Sequence, residues 1–346
     1  MAVKVDKTLK RLSIFTLSIF CLIYGLSAQT SLPSKKFESG FRSFEITFKD
    51  SESKEVTKEI SIWYPTDEKA VAGSYIEKQS GLYKKDARVA KGKHPLIIFS
   101  HGLWSHPQYS AFLTEELSRE GFIVAGILHN DGSTENKKGW QRGKTPNFLD
   151  PESWDENTCR DRRDDMKGLL SYLIKENSQK GSFLSSRINN DAIGAMGHSL
   201  GGYTVTGLIG GWPSWQENRI KAALLLSPYE GPYDEHNHVK DIKTPVMIQG
   251  GTADFTITPF LGKFYRTLKA PKYFPVFKDE SHFGWVYLPY HGKTTVETIK
   301  DGNAAGIVKY SSLFMKAYLL NCPDSKKELK TSAPELARYK FEQGGN

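Results

Sequence analysis

Short apolar runs alternate with helix-forming segments through the middle of the chain. Runs of this kind, apolar at nearly every position, are typical of strands buried on both faces. They lie at residues 95–99, 122–128, 192–196, 222–226, 246–249 and 272–277. Helices are predicted at residues 109–120, from 160 onward, from 199 onward, at 259–268 and at 304–320. This alternation predicts βαβ units in an α/β fold, with a mainly parallel twisted sheet and helices on both faces.

Two further strands precede this region. Residues 44–48 and 59–64 alternate between apolar and polar side chains and are joined by little chain, so they predict an antiparallel N-terminal edge. Residues 66–93 are polar and contain three glycines, which favours a loop. Because no internal repeat or composition break follows, residues 29–346 are predicted to form a single domain.

The N-terminus has the pattern of an export signal. A basic start is followed by the apolar stretch 12–26 and by small residues that end at Ala28. The stretch is shorter than the roughly 18 residues expected of a membrane span. We therefore expect a signal peptide at residues 1–28, a secreted or periplasmic protein, and no stable membrane span after cleavage. A retained anchor and a lipid attached at Cys21 are the alternatives, the second disfavoured by the bulky Phe20 before it.

Composition excludes several classes of protein. With 38% apolar and 12% aromatic residues in 346, the chain can bury a core, which argues against intrinsic disorder. The net charge of +8 comes from scattered basic residues without a run of five, so no nucleic-acid partner is expected. Outside the leader only Cys159 and Cys322 remain, and whether they form a disulfide is left open by the sequence.

The strongest chemical signal is the sequence Gly197-His198-Ser199-Leu200-Gly201. It matches G-x-S-x-G, with a buried strand before it and a helix after it. The turn between them is so tight that the positions two before and two after the serine must lack a side chain. Ser199 is therefore the predicted nucleophile, exposed at the carboxyl end of the sheet.

A serine hydroxyl needs a base to take its proton, and the base needs an acid to orient it. His282, on the loop after the strand that ends at residue 277, is the predicted base, with His291 as the alternative. Asp254 follows the strand at 246–249 and is the predicted acid. Glu230 and Asp234, after the preceding strand, are the other candidates.

Acyl transfer also requires donors for the developing oxyanion. The backbone N–H of Leu200, directly after the nucleophile, is one predicted donor. The N–H of Leu103, in the loop after the first buried strand, is the other. Aromatic residues flank these elements and predict an apolar substrate pocket. They are Trp104, Tyr203, Phe255 and Trp285.

No cofactor is predicted. His236 and His238 lie beside two acidic residues, but no third ligand cluster with zinc-like spacing accompanies them, so a solvated loop is favoured over a metal site. No glycine-rich dinucleotide fingerprint follows a strand.

With these residues placed, the chain resembles the α/β-hydrolases. It is similar to the branch that contains dienelactone-hydrolase-like proteins, bacterial cutinase-like polyesterases and platelet-activating-factor acetylhydrolases, over roughly residues 41–320. Residues 62–65 resemble the second strand of that branch. Residues 99–103, 122–125 and 129–131 are particularly similar to the acetylhydrolases, in which the leucine after His-Gly supplies an oxyanion N–H. The resemblance thus implies that role for Leu103, and it implies no metal or organic cofactor.

The chain departs from the acetylhydrolases at the acid. They carry it directly after the strand that follows the nucleophile helix, where this chain has Ser227-Pro228. The acid after the next strand, Asp254, is similar to that of the cutinase-like enzymes.

Together these features predict an exported serine carboxylic-ester hydrolase that acts on short-chain or small-acyl esters through an acyl-enzyme. A platelet-activating-factor acetylhydrolase-like phospholipase and a serine peptidase are alternatives within the same chemistry. A non-catalytic binding protein on a hydrolase scaffold is the alternative from another class.

Overall fold

The structure, a computed structural model, describes residues 36–76, 79–132, 146–269 and 271–343. The predicted signal peptide and Cys21 lie outside these residues, so the predicted export stays a prediction. The described residues belong to one compact unit. Among them, no helix is long and apolar enough to cross a bilayer.

Eleven strands of the described part of the chain form one sheet. They are β1 (Glu38–Lys49), β2 (Glu55–Thr66), β3 (Val71–Ser74), β4 (Ser80–Lys85), β5 (His94–Ser100), β6 (Ile123–Ile127), β7 (Ile188–His198), β8 (Ile220–Leu226), β9 (Val246–Gly251), β10 (Lys272–Phe277) and β11 (Leu336–Glu342). Their spatial order is β11-β10-β9-β8-β7-β5-β6-β2-β1-β4-β3. The six strands from β6 to β10 in this order are mutually parallel.

Helices cover both faces of the sheet. They are α1 (Ala111–Arg119), α2 (Arg160–Ser178), α3 (Leu200–Thr206), α4 (Gly231–His236), α5 (Leu261–Thr267), α6 (Thr295–Thr298), α7 (Gly302–Leu319) and α8 (Pro323–Glu328). Alternate residues of the buried strands enter two separate cores. Leu96 and Ile98 of β5 pack in the core that contains α2, α3 and α5, whereas Ile97 and Phe99 pack in the core that contains α1 and α7. This two-sided burial is why β5 is apolar at nearly every position.

The edges of the sheet differ from the sequence prediction. Strands β1 and β2 are antiparallel, as predicted, but β1 is not the edge, because β4 and then β3 extend the sheet beyond it. Both of these strands lie in the segment 66–93 that the polar composition predicted as a loop. At the other edge, β11 pairs antiparallel with β10 and was not predicted. Edge strands need few apolar residues, because one face or both remain near solvent, and this weakens their sequence pattern.

The carboxyl ends of the parallel strands are nearly level. Ser100 pairs with Gly197, and His198 pairs with Leu226. Gly251 pairs with Phe277 further along the same edge. The loops after β5, β7, β8, β9 and β10 therefore open on the same side of the molecule, and these loops carry the chemistry predicted from the sequence.

Glycines allow the turn after β7 to lie against the end of β5. A Cβ added to Gly201, the second residue of α3, would lie 1.9 Å from the backbone oxygen of Ser100. A Cβ on Gly302, at the start of α7, would meet no atom within 4 Å.

We therefore expect Gly201→Ala to lower the melting temperature by about 4 °C or more, since the clash is with backbone that cannot rotate away. Gly302→Ala is the matched control and should leave the melting temperature unchanged or slightly raised, because alanine favours the helix. Thermal unfolding followed by circular dichroism measures both. Equal stability of the two variants would contradict the close packing of α3 against β5.

Candidate active site

Ser199 occupies a strained turn between β7 and α3. Its backbone angles are φ 53° and ψ −118°, a conformation that a residue with a side chain rarely adopts. The glycines on either side make the turn possible, because a Cβ on Gly197 would lie 2.1 Å from the oxygen of Gly201. The turn thus presents the Ser199 hydroxyl at the carboxyl edge of the sheet.

A chain of hydrogen bonds joins Ser199, His282 and Asp254. His282 Nε2 lies 2.9 Å from Ser199 Oγ, and His282 Nδ1 lies 3.0 Å from Asp254 Oδ2. A carboxylate can only accept, so Nδ1 carries the proton and Nε2 is left to accept from the serine hydroxyl. This is the arrangement that general-base activation of a serine requires.

Several donors converge on the Asp254 carboxylate. The backbone N–H of Ile257 and the hydroxyl of Thr256 each donate to Oδ1 at 3.1 Å. Burial alone would raise the pKa of Asp254, but hydrogen bonds from His282 and Ser227 outweigh it and lower the pKa below its usual value. Asp254 is therefore an anion at neutral pH.

Ser227 is a member of this cluster that the sequence analysis did not assign. It follows β8 directly and has a positive φ of 42°. Its hydroxyl donates to Asp254 Oδ2 and lies 3.0 Å from His282 Nδ1. The sequence signal was its place directly after a buried strand, at the edge of the sheet that carries Ser199.

His198, the variable residue of the elbow motif, supports the loop of His282. Its Nε2 donates to the backbone oxygen of His282 at 2.9 Å. Its Nδ1 is buried without a hydrogen-bond partner among the described residues. Burial, followed by the charge of His282, lowers the pKa of His198 to about 3, so this ring stays neutral.

The alternative acids and base lie away from this chain of hydrogen bonds. Glu230 is buried and accepts from the Thr206 hydroxyl at 2.8 Å, and burial raises its pKa well above the usual value. Asp234 lies on α4, 3.9 Å from the ammonium of Lys263. His291 is exposed at the end of a short turn.

The two predicted oxyanion donors flank the nucleophile. Leu200 is the first residue of α3, so its N–H is among those that the helix itself leaves unpaired. Leu103 lines the cavity in front of Ser199. The loop lies close to the nucleophile, because a Cβ on Gly102 would be 3.4 Å from Ser199 Cβ.

A largely apolar cavity of about 330 Å³ opens in front of Ser199. Its walls come from the loops after β5, β8, β9 and β10 and from the segment before α2. Apart from Ser199 and the two histidines at its base, it is lined by Gly102, Leu103, Trp104, Ser105, Tyr109, Phe148, Tyr229, Ile257, Phe283, Val286 and Leu288. Among the described residues that line it there is no lysine, arginine, aspartate or glutamate.

Only Trp104 of the four predicted pocket residues lines this cavity. Tyr203, a residue of α3, is fully buried and donates to the Thr158 carbonyl, so it belongs to the core. Trp285 is also fully buried, and its indole N–H donates to Gln249. Phe255 is 79% exposed and lies outside the cavity lining. Neighbouring residues that the sequence did not single out, such as Phe148 and Tyr229, form the walls instead.

The cysteines and histidines that the sequence left as candidates form neither a disulfide nor a metal site among the described residues. Cys159 and Cys322 are both free thiols, so the disulfide left open by the sequence is not formed. His236 donates to the Trp154 carbonyl at 2.8 Å. Within the described ranges, no group of three or more histidine, cysteine, aspartate or glutamate side chains could hold a metal ion.

Comparisons with known proteins show what this chain is similar to. A family model for platelet-activating factor acetylhydrolase, isoform II, matches residues 55–150. The platelet-activating factor acetylhydrolase of Cavia porcellus is 26% identical over 220 residues, which are 56% of this chain and 48% of that protein. That of Bos taurus is 26% identical over 165 residues, or 40% of this chain and 36% of that protein. The chain therefore spans about half the length of these relatives, or less.

A solved structure, the ferulic acid esterase from Streptomyces cinnamoneus, matches with a TM-score of 0.60 at 18% identity. The match covers 90% of this chain and 98% of that chain. At this identity the likeness concerns the fold, and it confirms the predicted α/β-hydrolase fold. The predicted resemblance to the branch that contains the acetylhydrolases is also confirmed.

The acid can be tested by comparing two aspartates. Asp254→Asn should lower kcat for a short-chain ester by about 10³-fold or more, since an amide cannot hold the His282 tautomer or stabilise the imidazolium. Asp234→Asn, a matched change on α4, should leave kcat within about 2-fold. Steady-state kinetics of both variants measure the difference, and the reverse order of effects would assign the acid to the loop after β8.

Proposed function

We propose that this chain, an α/β-hydrolase by fold and similar in sequence to the platelet-activating factor acetylhydrolases, is a serine carboxylic-ester hydrolase. The observation that carries the proposal is the chain of hydrogen bonds from Ser199 through His282 to Asp254 at the base of an apolar cavity. The export pattern at residues 1–28 supports a protein that works outside the cytoplasm.

In the first half-reaction, Ser199 Oγ attacks the ester carbonyl carbon while His282 Nε2 takes the hydroxyl proton. The carbonyl oxygen becomes an oxyanion, which accepts hydrogen bonds from the backbone N–H groups of Leu103 and Leu200. The intermediate then collapses, the bond to the alkoxy oxygen breaks, and His282 gives its proton to the departing alcohol. The acyl group remains on Ser199.

In the second half-reaction, water attacks the acyl-enzyme, and His282 again takes the proton. Collapse of the second tetrahedral intermediate releases the carboxylic acid and returns the proton to Ser199 Oγ. Asp254 stays ionised throughout and stabilises the imidazolium that forms in each step.

The cavity favours uncharged esters with a small acyl group. Its volume of about 330 Å³ is at the lower end for ligand sites, and its described lining offers no charged side chain to bind a charged group. The sequence similarity to proteins named acetylhydrolases supports a short-acyl phospholipid as the second candidate substrate. A panel of p-nitrophenyl esters from acetyl to decanoyl, beside a phospholipid with an sn-2 acetyl group, distinguishes the two.

Ser199→Ala should lower kcat by about 10³-fold or more while the fold remains intact. A fluorophosphonate probe should label the wild-type protein on the peptide containing Ser199 and should not label the variant. Ser178→Ala, an exposed serine at the end of α2, is the matched control and should behave as wild type. A folded wild-type protein that neither hydrolyses esters nor takes the label would favour the binding-protein alternative.

The pH dependence follows from the charge states around His282. The lowered pKa of Asp254 and the pKa of about 3 for His198 keep both groups in one state above pH 5. Neither group therefore adds a proton-dependent step above pH 5, and the proposed mechanism requires only one unprotonated base. We expect kcat/KM to rise with pH along a single-proton curve to a plateau that EDTA does not alter. A two-proton limb, or loss of activity with EDTA, would contradict this assignment.

A further inference from the structure

A buried cluster of charged and polar side chains lies directly behind the oxyanion loop, defined here as residues 101–103. Its centre is the guanidinium of Arg162, whose side chain is only 1% exposed. The proposed mechanism does not use this group. Arg162 is the third residue of α2 and lies one helical turn before Met166, so it continues the buried face of that helix.

Asp131 holds the guanidinium in one orientation. Arg162 Nε donates to Asp131 Oδ2 at 3.0 Å, and Nη2 donates to Oδ1 at 2.6 Å. A two-point contact of this kind fixes the plane of the guanidinium as well as its position. The remaining N–H groups of Arg162 are thereby aimed at the oxyanion loop.

Those N–H groups bind the backbone carbonyls of the loop. Nη1 donates to the oxygen of His101 at 2.7 Å, and Nη2 donates to the oxygen of Gly102 at 3.3 Å. The second carbonyl matters most, because the Gly102 oxygen and the Leu103 N–H belong to the same peptide group. Arg162 therefore contacts one end of the peptide whose other end is the proposed oxyanion donor.

The imidazole of His101 reinforces this contact. Its Nδ1 donates to the Gly102 oxygen at 2.7 Å, while its Nε2 accepts the N–H of His129 at 2.9 Å. Burial, together with the charges of His129 and Arg162, holds the pKa of His101 well below its usual value. A neutral ring with its proton on Nδ1 is the tautomer that both hydrogen bonds require.

We propose that Arg162 is a positioning residue of the oxyanion site, which holds the loop 101–103 and polarises the Gly102–Leu103 peptide. The proposal rests on the proposed ester hydrolysis. Donors at a carbonyl oxygen strengthen the hydrogen bond that the N–H of the same peptide gives, and the effect is greater in a dry interior. A fixed donor also needs no reorganisation when the oxyanion forms.

Stability alone is a weak reason for this arrangement. A buried ion pair is often no more stabilising than apolar residues of similar volume, because both charges lose their hydration. The contacts of Arg162 with two consecutive carbonyls of the oxyanion loop give the buried charge a role in the reaction.

The test compares Arg162→Lys and Arg162→Gln with wild type in hydrolysis of p-nitrophenyl butyrate. We expect kcat to fall about 10-fold for the lysine variant and about 100-fold for the glutamine variant, with KM within about 3-fold. Arg163→Gln is the matched control, because Arg163 is the next residue of α2 and pairs with Asp164 away from the loop. It should retain wild-type kcat.

A pair of inhibitors separates oxyanion stabilisation from simple damage to the pocket. Ser199 Oγ adds to the carbonyl carbon of a trifluoromethyl ketone, its proton moves to His282, and the ketone oxygen becomes an oxyanion. The matching methyl ketone binds without forming this adduct. The inhibition constant of the trifluoromethyl ketone should rise by the same factors as kcat falls. That of the methyl ketone should change by less than about 3-fold.

Equal weakening of both ketones, or an unchanged kcat in folded Arg162 variants, would overturn the proposal. If Arg162→Gln fails to fold, the lysine variant and Asp131→Asn carry the test. Asp131→Asn keeps the guanidinium but loosens it, so a selective loss of trifluoromethyl ketone affinity is again expected.

A wild-type protein without hydrolysis or phosphonate labelling overturns the proposed function as well. An active, labelled wild type with unaffected Arg162 variants overturns this inference alone.

Discussion

The approach of the Gly201 backbone to the Ser100 carbonyl is the constraint on which the site depends. It brings the start of α3 against the end of β5, so the loop that carries the nucleophile and the loop that carries Leu103 lie in direct contact. No side chain lies between them, and no rotamer can change their separation. The distance between the attacking oxygen and the proposed donors is therefore set by main-chain packing, which is the least adjustable part of a folded protein.

The residues at the base of the cavity and those at its mouth differ in burial. The groups that would make and break bonds are hydrogen-bonded and largely buried, and Asp254 is only 2% exposed. Trp104, Phe283 and Leu288, which line the cavity mouth, are about half exposed. Substitutions at the rim should thus mainly alter which ester is accepted, because these side chains line the cavity and take no part in the proposed bond changes.

Much of this arrangement follows from sequence patterns with a local cause. The nucleophile is recognisable because its turn requires glycine at fixed spacing, and the candidate base and acid are recognisable because parallel strands end at one edge. Side-chain direction has no such local signal. Tyr203 lies one helical turn after Ser199, yet its side chain is fully buried in the core. Trp285 likewise faces inward, although its neighbour Val286 lines the cavity.

Elements whose existence depends on a distant partner were also missed. Strand β11 is mostly exposed and forms because β10 offers it an unpaired edge. From the sequence alone, Arg162 is expected at the surface, because its neighbours in α2 are acidic and basic residues. Only its position one helical turn before the buried Met166 indicates that it faces inward. Its partners come from loops some 30 to 60 positions earlier.

The position of Ser227 bears on how such a site can change over generations. Two adjacent strand ends deliver an oxygen atom to the same imidazole nitrogen, Ser227 from β8 and Asp254 from β9. A carboxylate introduced at residue 227 would lie against the Asp254 carboxylate, and two carboxylates so close share a proton, so one anion would still face His282. Loss of Asp254 in a later step would then leave His282 with an anionic partner at residue 227. A change of the strand that carries the acid therefore need not pass through an inactive protein.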